Sequence, residues 1–252
     1  MIRTLLIITG ASLVLCAAAL GGAAALGGND LARHGWTWTF HGRGDGHDET
    51  VRFERAEQGP RVTRTLAWDG SDRIDVEVAA EVTYVQGDTA SVEVSGPKEQ
   101  VEALRLTAGR LTFDDDDDRV DHVVFGWGDH VPLRVVVTAP SVRAFNLSSS
   151  GDLVIRNYDQ PSLFVAIDGS GEVEATGRTD AVELDISGSG EADFSGLETS
   201  DADIEISGSG EAVAGPTGAA RIAISGSGDV DLTRRPASLT QSISGSGDVN
   251  QR

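Results

Sequence analysis

A short motif of glycine, serine and a carboxylate recurs along the C-terminal half of the sequence. It reads ISGSGE or ISGSGD from Ile186, Ile206, Ile224 and Ile243, and related forms follow Leu147 and Ile167. A glycine-rich loop can cradle a phosphate, and a loop that carries carboxylates can bind a metal ion. The same residues can also form nothing more than the corner of a repeating fold. The role of this motif therefore decides whether the protein has a ligand-binding or catalytic loop here, or only the turn of a repeating scaffold.

The number of copies argues against a phosphate loop or a calcium loop. A phosphate-binding loop occurs once and precedes a helix, whereas these six copies each precede a predicted strand. Calcium-binding β-rolls repeat every nine residues or so with the pattern GGxGxD, which differs from this motif in both period and order. We therefore predict no catalytic residues and no cofactor-binding residues in the motif.

The acidic residue of each copy is the weaker candidate for chemistry. In a stack, six carboxylates would form one column, which either stays solvated or binds a row of divalent cations such as calcium. These candidate metal ligands are Asp152, Glu172, Glu191, Glu211, Asp229 and Asp248.

The spacing of the copies predicts how they are positioned. The residues that precede the motif are separated by 20, 19, 20, 18 and 19 positions, and apolar residues alternate with polar ones on either side of it. A period of this size with period-two alternation is typical of a β-solenoid. We predict an all-β fold, a right-handed parallel β-helix with rungs of about 19–20 residues that is regular over residues 143–252. The anchor column of inward aliphatic residues comprises Leu147, Ile167, Ile186, Ile206, Ile224 and Ile243.

In this fold the glycines are predicted to be structural turn residues. Glycine allows positive φ and lacks the Cβ that would collide with the neighbouring rung. The predicted turn residues are Gly169, Gly171, Gly188, Gly190, Gly208, Gly210, Gly226, Gly228, Gly245 and Gly247. The serine between each pair of glycines could hydrogen-bond along the stack through its hydroxyl.

The N-terminal region predicts export. Residues 1–28 combine one early arginine with an uncharged apolar run, which indicates a signal peptide or an N-terminal membrane anchor. Residues 29–61 resemble a flexible linker, in which the alternation of Trp36, Trp38 and Phe40 predicts a short strand or an aromatic patch. A less regular β region follows from residue 62, and residues 98–104 are its one candidate helix. We expect the bulk of the protein to leave the cytoplasm.

Charge and cysteine content narrow the classes of partner. The formal net charge is −20, which disfavours binding to nucleic acid, and the single cysteine, Cys16, excludes an intrachain disulfide.

Polar Gln241, Asn250 and Gln251 replace apolar residues in the last repeat. They either cap the solenoid or mark a site of end-to-end self-association.

The sequence also resembles a known family. The segments LAWDGSDRIDVEVAAEVTYVQGDTASVEVSGP and LRVVVTAPSVRAFNLSSSGDLVI, followed by the serial ISGSGE/D motif, are similar to the head GIN domain family of bacterial autotransporter-adhesin-like proteins. The resemblance covers about residues 62–252. It implies a β-helix that is exported to the cell envelope, in the periplasm or on the cell surface of a bacterium, and has an adhesive role. It brings no catalytic residues with it.

These observations favour a non-catalytic envelope protein, an adhesin or a structural or binding module. The partner would be an envelope polysaccharide or another protein. The alternatives are a carbohydrate-active β-helix enzyme, such as a polysaccharide lyase or hydrolase, and a divalent-cation-binding envelope protein. An active site usually departs from the local repeat, and no His or Trp interrupts residues 160–252.

Overall fold

The computed structural model describes residues 36–41, 48–53, 60–113 and 132–251, and the chain divides into two units. In the first unit, β1 (Trp36–His41) and β2 (Asp48–Phe53) form an antiparallel hairpin. The short strand predicted around Trp36 is therefore confirmed. The predicted signal or anchor segment, residues 1–28, lies outside the described residues. No helix within the described ranges has the length and hydropathy needed to cross a membrane.

The second unit begins with short strands that surround one helix. Their bounds are β3 (Arg61–Leu66), β4 (Arg73–Val76), β5 (Glu81–Gln86), β6 (Ser91–Pro97), α1 (Lys98–Ala103), β7 (Leu104–Thr107), β8 (Arg110–Phe113) and β9 (Arg134–Ala139). The helix predicted within residues 98–104 is confirmed. It stays short because Val101 is its only buried residue, and residues from Leu104 onward return to an extended backbone.

The repeats form the remaining strands of this unit. Their bounds are β10 (Ala144–Leu147), β11 (Asp152–Gly169), β12 (Glu172–Gly188), β13 (Glu191–Asp193), β14 (Leu197–Gly208), β15 (Glu211–Ala214), β16 (Ala219–Gly226), β17 (Asp229–Leu232), β18 (Ser238–Gly245) and β19 (Val249–Gln251). Successive rungs pair in parallel, with β11 on β12, β12 on β14, β14 on β16 and β16 on β18. The fold is a β-solenoid of about 5 turns, as the period predicts.

The anchor column stacks in register along this solenoid. Leu147 lies beside Ile167, which lies beside Ile186, and the column continues to Ile243. Its members are almost completely buried up to Ile224, whereas Ile243 in the last rung is 38% exposed. Each buried aliphatic side chain contributes roughly 1.5–3 kcal/mol of hydrophobic stabilisation, so the column is a main source of stability.

The less regular N-terminal region belongs to the same stack. Strand β4 pairs in parallel with β10 and places Val76 beside Leu147, and β8 pairs in parallel with β4 and places Leu111 beside Val76. On the next face, β5 pairs in parallel with both β11 and β9. The parallel stack therefore starts before the recognisable repeats.

Antiparallel strands cover the N-terminal end of the stack. Strand β6 pairs antiparallel with β9, β3 with β6, and β7 with β8. This arrangement satisfies main-chain groups that an open parallel edge would leave unpaired.

Three aromatic residues fill the core at the junction between this region and the repeats. The Phe145 ring packs edge-on against Tyr84 and Tyr158, with centroids 5.1 and 6.5 Å apart. The Tyr84 hydroxyl donates to the Ala139 carbonyl oxygen at 2.9 Å and accepts from the Val142 N–H at 3.3 Å. The Tyr158 hydroxyl donates to the Ser162 carbonyl oxygen at 2.5 Å. Burial raises the pKa of both tyrosines above the ordinary value of 10.0.

Candidate functional site

The Gly-Ser-Gly corner of each rung is filled by the neighbouring rung. The first glycine of each corner has a φ between 123° and 138° in the five copies from Gly169 to Gly245. A Cβ built on Gly188 would lie 2.5 Å from the carbonyl oxygen of Gly169. A Cβ on the second glycine, for example Gly210, would lie 2.6 Å from Cγ2 of Ile186. The space between successive corners is therefore filled by protein atoms and cannot hold a ligand.

The serines of the corner bond along the stack through their main chain. The N–H groups of Ser189, Ser209 and Ser227 each donate to a glycine carbonyl oxygen of the preceding rung at 2.8 Å. The side chains of these serines are exposed, and none of their hydroxyls makes a hydrogen bond to another described residue. The axial bonds expected of the hydroxyls are thus made by the backbone.

The six predicted acidic residues form one exposed column, and the structure extends it. Pairing places Asp152, Glu172, Glu191, Glu211 and Asp229 side by side. In the last rung, the Asp248 N–H donates to Oδ1 of Asp229 at 2.9 Å.

At the other end of the column, Glu81 of β5 lies beside Asp152, and Arg134 of β9 lies beside Glu81. The Arg134 Nε is 2.6 Å from Oε2 of Glu81, so a cation closes this end of the column. Sequence reasoning missed both residues because they lie outside the repeats, and their strands carry no ISGSG motif.

The pKa of Glu172 responds to its burial and to the neighbouring negative charges. Partial burial raises its pKa, and the nearby carboxylates of Glu191, Asp152, Glu174 and Asp193 raise it further. Glu174 and Asp193 belong to a second outward column of the same face. The face therefore carries these two further carboxylates beside the acidic column, in a second column that Val154 and Val213 interrupt.

These carboxylates form a row rather than a cage. Within residues 60–113 and 132–251, no three or more His, Cys, Asp or Glu side chains are grouped so that they could hold a metal ion. Each rung contributes one carboxylate to the column, and the strand spacing of roughly 4.8 Å keeps successive carboxylates apart. The geometry offers a site for diffuse cation attraction more readily than for coordination of one ion.

A second face, formed by the C-terminal parts of β11 and β12 together with β14, β16 and β18, has a mixed charge pattern. Burial raises the pKa of Asp185, with further contributions from Glu205, Asp203 and Asp168. Arg221 pairs with Asp203 across neighbouring rungs at 2.9 Å. Near the preceding corner, the hydrogen bond from Arg178 lowers the pKa of Asp159.

A groove crosses these five strands, and we name it the cross-rung groove. Its volume is about 510 Å³. It lies between two columns of outward residues, one comprising Ser162, Ala181, Asp201, Ala219 and Ser238, and the other comprising Phe164, Glu183, Asp203, Arg221 and Thr240. The side chains of the first column project only a short distance from the sheet, because most of them are small. Aligning the repeats at positions three and five residues before the anchor would have shown both columns.

The comparisons with known proteins agree with this fold. Residues 71–236 match the family model described as "Putative auto-transporter adhesin, head GIN domain". The chain is similar to a crystal structure described as a putative adhesin from Bacteroides fragilis, with a TM-score of 0.60 and 17% identity. That match covers 77% of this chain and 97% of the other. No curated protein matches the chain.

Two further solved structures are similar at lower scores. A putative lipid binding protein from Parabacteroides distasonis has a TM-score of 0.49 and 19% identity, covering 77% of this chain and 97% of its own. A putative adhesin from Parabacteroides merdae has a TM-score of 0.45 and 17% identity, covering 79% and 99%. Together, the serial corner motif, the stacked parallel rungs and a family match over most of the solenoid show that the chain belongs to the family of auto-transporter adhesin head GIN domains.

Proposed function

We propose that this protein is a non-catalytic component of the bacterial envelope that binds a partner through the side faces of its solenoid. The observation that carries the proposal is the uninterrupted repetition of the rungs. Outward carboxylates recur in columns, one per rung, and do not converge on one point with a base or a nucleophile. A catalytic centre needs such convergence, whereas a binding surface for an extended partner benefits from repetition.

The residues available for acid–base chemistry support this proposal. All five histidines of the sequence lie outside residues 60–113 and 132–251. Both tyrosines are buried in the core, with their hydroxyls bonded to main-chain carbonyls. The described side faces therefore present carboxylates, hydroxyls and a few arginines, which suit recognition by hydrogen bonds.

Export through residues 1–28 is part of the same proposal. Cell fractionation and N-terminal sequencing of the mature protein test it. A chain recovered outside the cytoplasm supports export, and its first residue distinguishes a cleaved signal from a retained anchor. Recovery in the cytoplasm alone would contradict it.

A binding assay with isolated envelopes tests the binding function. The purified full chain is incubated with cell-wall and capsular polysaccharide fractions, with and without calcium, and both retention and released oligosaccharide are measured. Saturable retention without release supports the proposal. Release of oligosaccharide would replace it with the enzyme alternative, and retention only with calcium would favour cation-dependent binding through the acidic column.

A further inference from the structure

We infer that the cross-rung groove is a binding site for an extended, uncharged glycan that lies along the solenoid axis. This inference rests on the proposed function, because it names the partner class and the place where that partner binds. The groove lies on the face formed by the C-terminal parts of β11 and β12 together with β14, β16 and β18, whereas the acidic column includes the first residues of β11 and β12, Asp152 and Glu172.

The dimensions of the groove suit a chain-like ligand. It crosses five parallel strands, and neighbouring strands lie roughly 4.8 Å apart, so it runs for roughly 19 Å. Its volume of about 510 Å³ falls within the range of roughly 300–1,000 Å³ that is usual for ligand sites. The floor is the main chain at Leu163, Val182 and Ala202, whose side chains point into the core, so it is flat and free of bulky groups.

The walls supply the two kinds of contact that a sugar needs. A pyranose ring has apolar C–H faces and a rim of hydroxyls, so its binding requires an apolar platform together with hydrogen-bonding groups. Phe164 provides a half-buried aromatic ring at one end of the groove. The Ser162 hydroxyl and the Glu183 carboxylate near this ring, and the Ser238 hydroxyl at the other end of the groove, make no hydrogen bond to any other described residue.

One ion pair in the wall is also open to a ligand. Arg221 and Asp203 are paired at 2.9 Å, yet their side chains remain 72% and 51% exposed. A guanidinium and a carboxylate held together in this way can still donate to and accept from neighbouring hydroxyls. The pairing orients both groups before the ligand arrives, which reduces the entropy lost on binding.

The charges in the groove disfavour an acidic glycan. Glu183, Asp201 and Asp203 outnumber Arg221, so the groove carries an excess of negative charge. The whole chain has a formal net charge of −20, which adds to the repulsion of a polyanion. An uncharged glycan meets no such penalty.

The groove is poorly suited to an extended peptide. A peptide usually adds to a sheet edge, but β12, β14 and β16 are paired on both sides here. The floor residues are almost fully buried and leave no deep pockets for alternate side chains. We therefore favour the glycan over the peptide.

A groove-filling variant tests the inference. Ala181 and Ala219 point outward and are exposed, so A181M/A219M adds bulk inside the groove without entering the core. The matched control S187M/S225M places the same side chains on β12 and β16 at exposed outward positions beyond the groove. Unchanged circular dichroism and Tm establish that both variants are folded.

Binding is measured by calorimetry with the full chain. The probes are linear β-1,4-linked hexasaccharides of N-acetylglucosamine and of glucose, an oligogalacturonate of equal length, and a hexapeptide of alternating glycine and lysine. We expect one or both uncharged hexasaccharides to bind, with affinity lowered roughly tenfold or more in A181M/A219M and unchanged in S187M/S225M.

Three results would overturn the inference. Equal binding by the groove-filling variant would place the glycan elsewhere. Binding of the peptide or the oligogalacturonate in preference to both uncharged hexasaccharides, weakened in A181M/A219M, would assign the groove to another class of ligand. Retention of the full chain on envelope fractions without binding of either uncharged hexasaccharide would remove this site while leaving the proposed function intact.

Discussion

At the corner of each rung, the two glycines are required for different steric reasons. The first, as at Gly188, has a positive φ and approaches the carbonyl oxygen of the glycine in the rung before it. The second, as at Gly210, leaves room for the aliphatic side chain of the anchor residue in the preceding rung. One short motif thus combines backbone conformation with close packing between rungs.

The variants G169A and G188A separate these two demands. Both glycines have positive φ, but a Cβ on Gly169 would meet its nearest atom at 3.5 Å, whereas on Gly188 it would meet a backbone oxygen at 2.5 Å. We expect G169A to cost roughly 1–3 kcal/mol from backbone strain alone. G188A should cost at least about 1 kcal/mol more, or roughly 2–4 °C in Tm. Equal losses in thermal denaturation would show that contact between rungs adds nothing.

Burial, together with the neighbouring carboxylates, makes stability depend on pH at Glu172. Because the pKa of Glu172 is raised in the folded protein, the folded state binds more protons than the unfolded state between the two pKa values. This group therefore lowers stability as pH rises through that window, and the loss is complete above the folded pKa.

We expect E172Q to raise Tm by roughly 1–2 °C at pH 7, since neighbouring like charges on a sheet cost only a few tenths of a kcal/mol. The gain should disappear below pH 4.5, the ordinary pKa of glutamate. E93Q, on the distant strand β6, is the control and should leave Tm unchanged at both pH values. A gain that persists at low pH would contradict an electrostatic origin.

At the scale of the strand, the anchor column couples one rung to the next. Ile206 is fully buried between Ile186 and Ile224, whereas Ile243 of the last rung is 38% exposed. A carboxylate at position 206 would be buried without a cationic partner, and a carboxylate at position 243 could reach water.

We therefore expect I206D to destabilise the solenoid by roughly 4 kcal/mol or more and I243D by roughly 1 kcal/mol. Hydrogen exchange should show central rungs opening in I206D and only the last rung opening in I243D, because repeat proteins can unfold in parts. I206V measures the cost of losing one methylene at the same site. A Tm of I206D within a degree or two of the unaltered protein would refute the inward position of Ile206.

Two buried phenols make main-chain hydrogen bonds at the start of the stack, one between strands and one within a strand. Tyr84 links β5 to the end of β9, and Tyr158 bonds to Ser162 within β11. Burial raises the pKa of both groups, so their ionisation in the folded state is disfavoured and stability is lost as pH rises above 10.

The chain has only these two tyrosines, so a spectrophotometric titration reports on both. We expect little tyrosinate absorbance near pH 10 in the folded protein, followed by a steep rise that coincides with loss of the β signal in circular dichroism. In denaturant both groups should titrate near 10. Normal titration without unfolding would contradict the packing of these side chains.

At the scale of the whole solenoid, the rungs are repeated units that contact mainly their neighbours. Residues 187–206 run from one anchor to the next, so their removal would join Ile186 to Ser207 and preserve the motif. We expect this deletion to fold as a shorter solenoid with a lower Tm. Deletion of residues 187–196 removes half a rung, misplaces every column and should abolish the cooperative transition. Similar behaviour of the two deletions in thermal denaturation would argue against independent rungs.

The sequence by itself determined the period, the anchor column, the corner glycines and the acidic column. These features depend on one alternation and one turn repeated at constant spacing, so identical residues must stack once the rungs pair in parallel. The family resemblance and the short helix near residue 98 could also be predicted from the sequence, because each depends on contiguous residues.

Only the tertiary structure decided which non-repeating strands join the stack. Val76 and Leu111 extend the anchor column, and Glu81 and Arg134 extend and close the acidic one, through pairings between strands far apart in the chain. The cross-rung groove likewise depends on the relative heights of two outward columns, which stack through the same pairings. Such features arise from long-range pairing and side-chain packing, which a local pattern of apolar and polar residues does not encode.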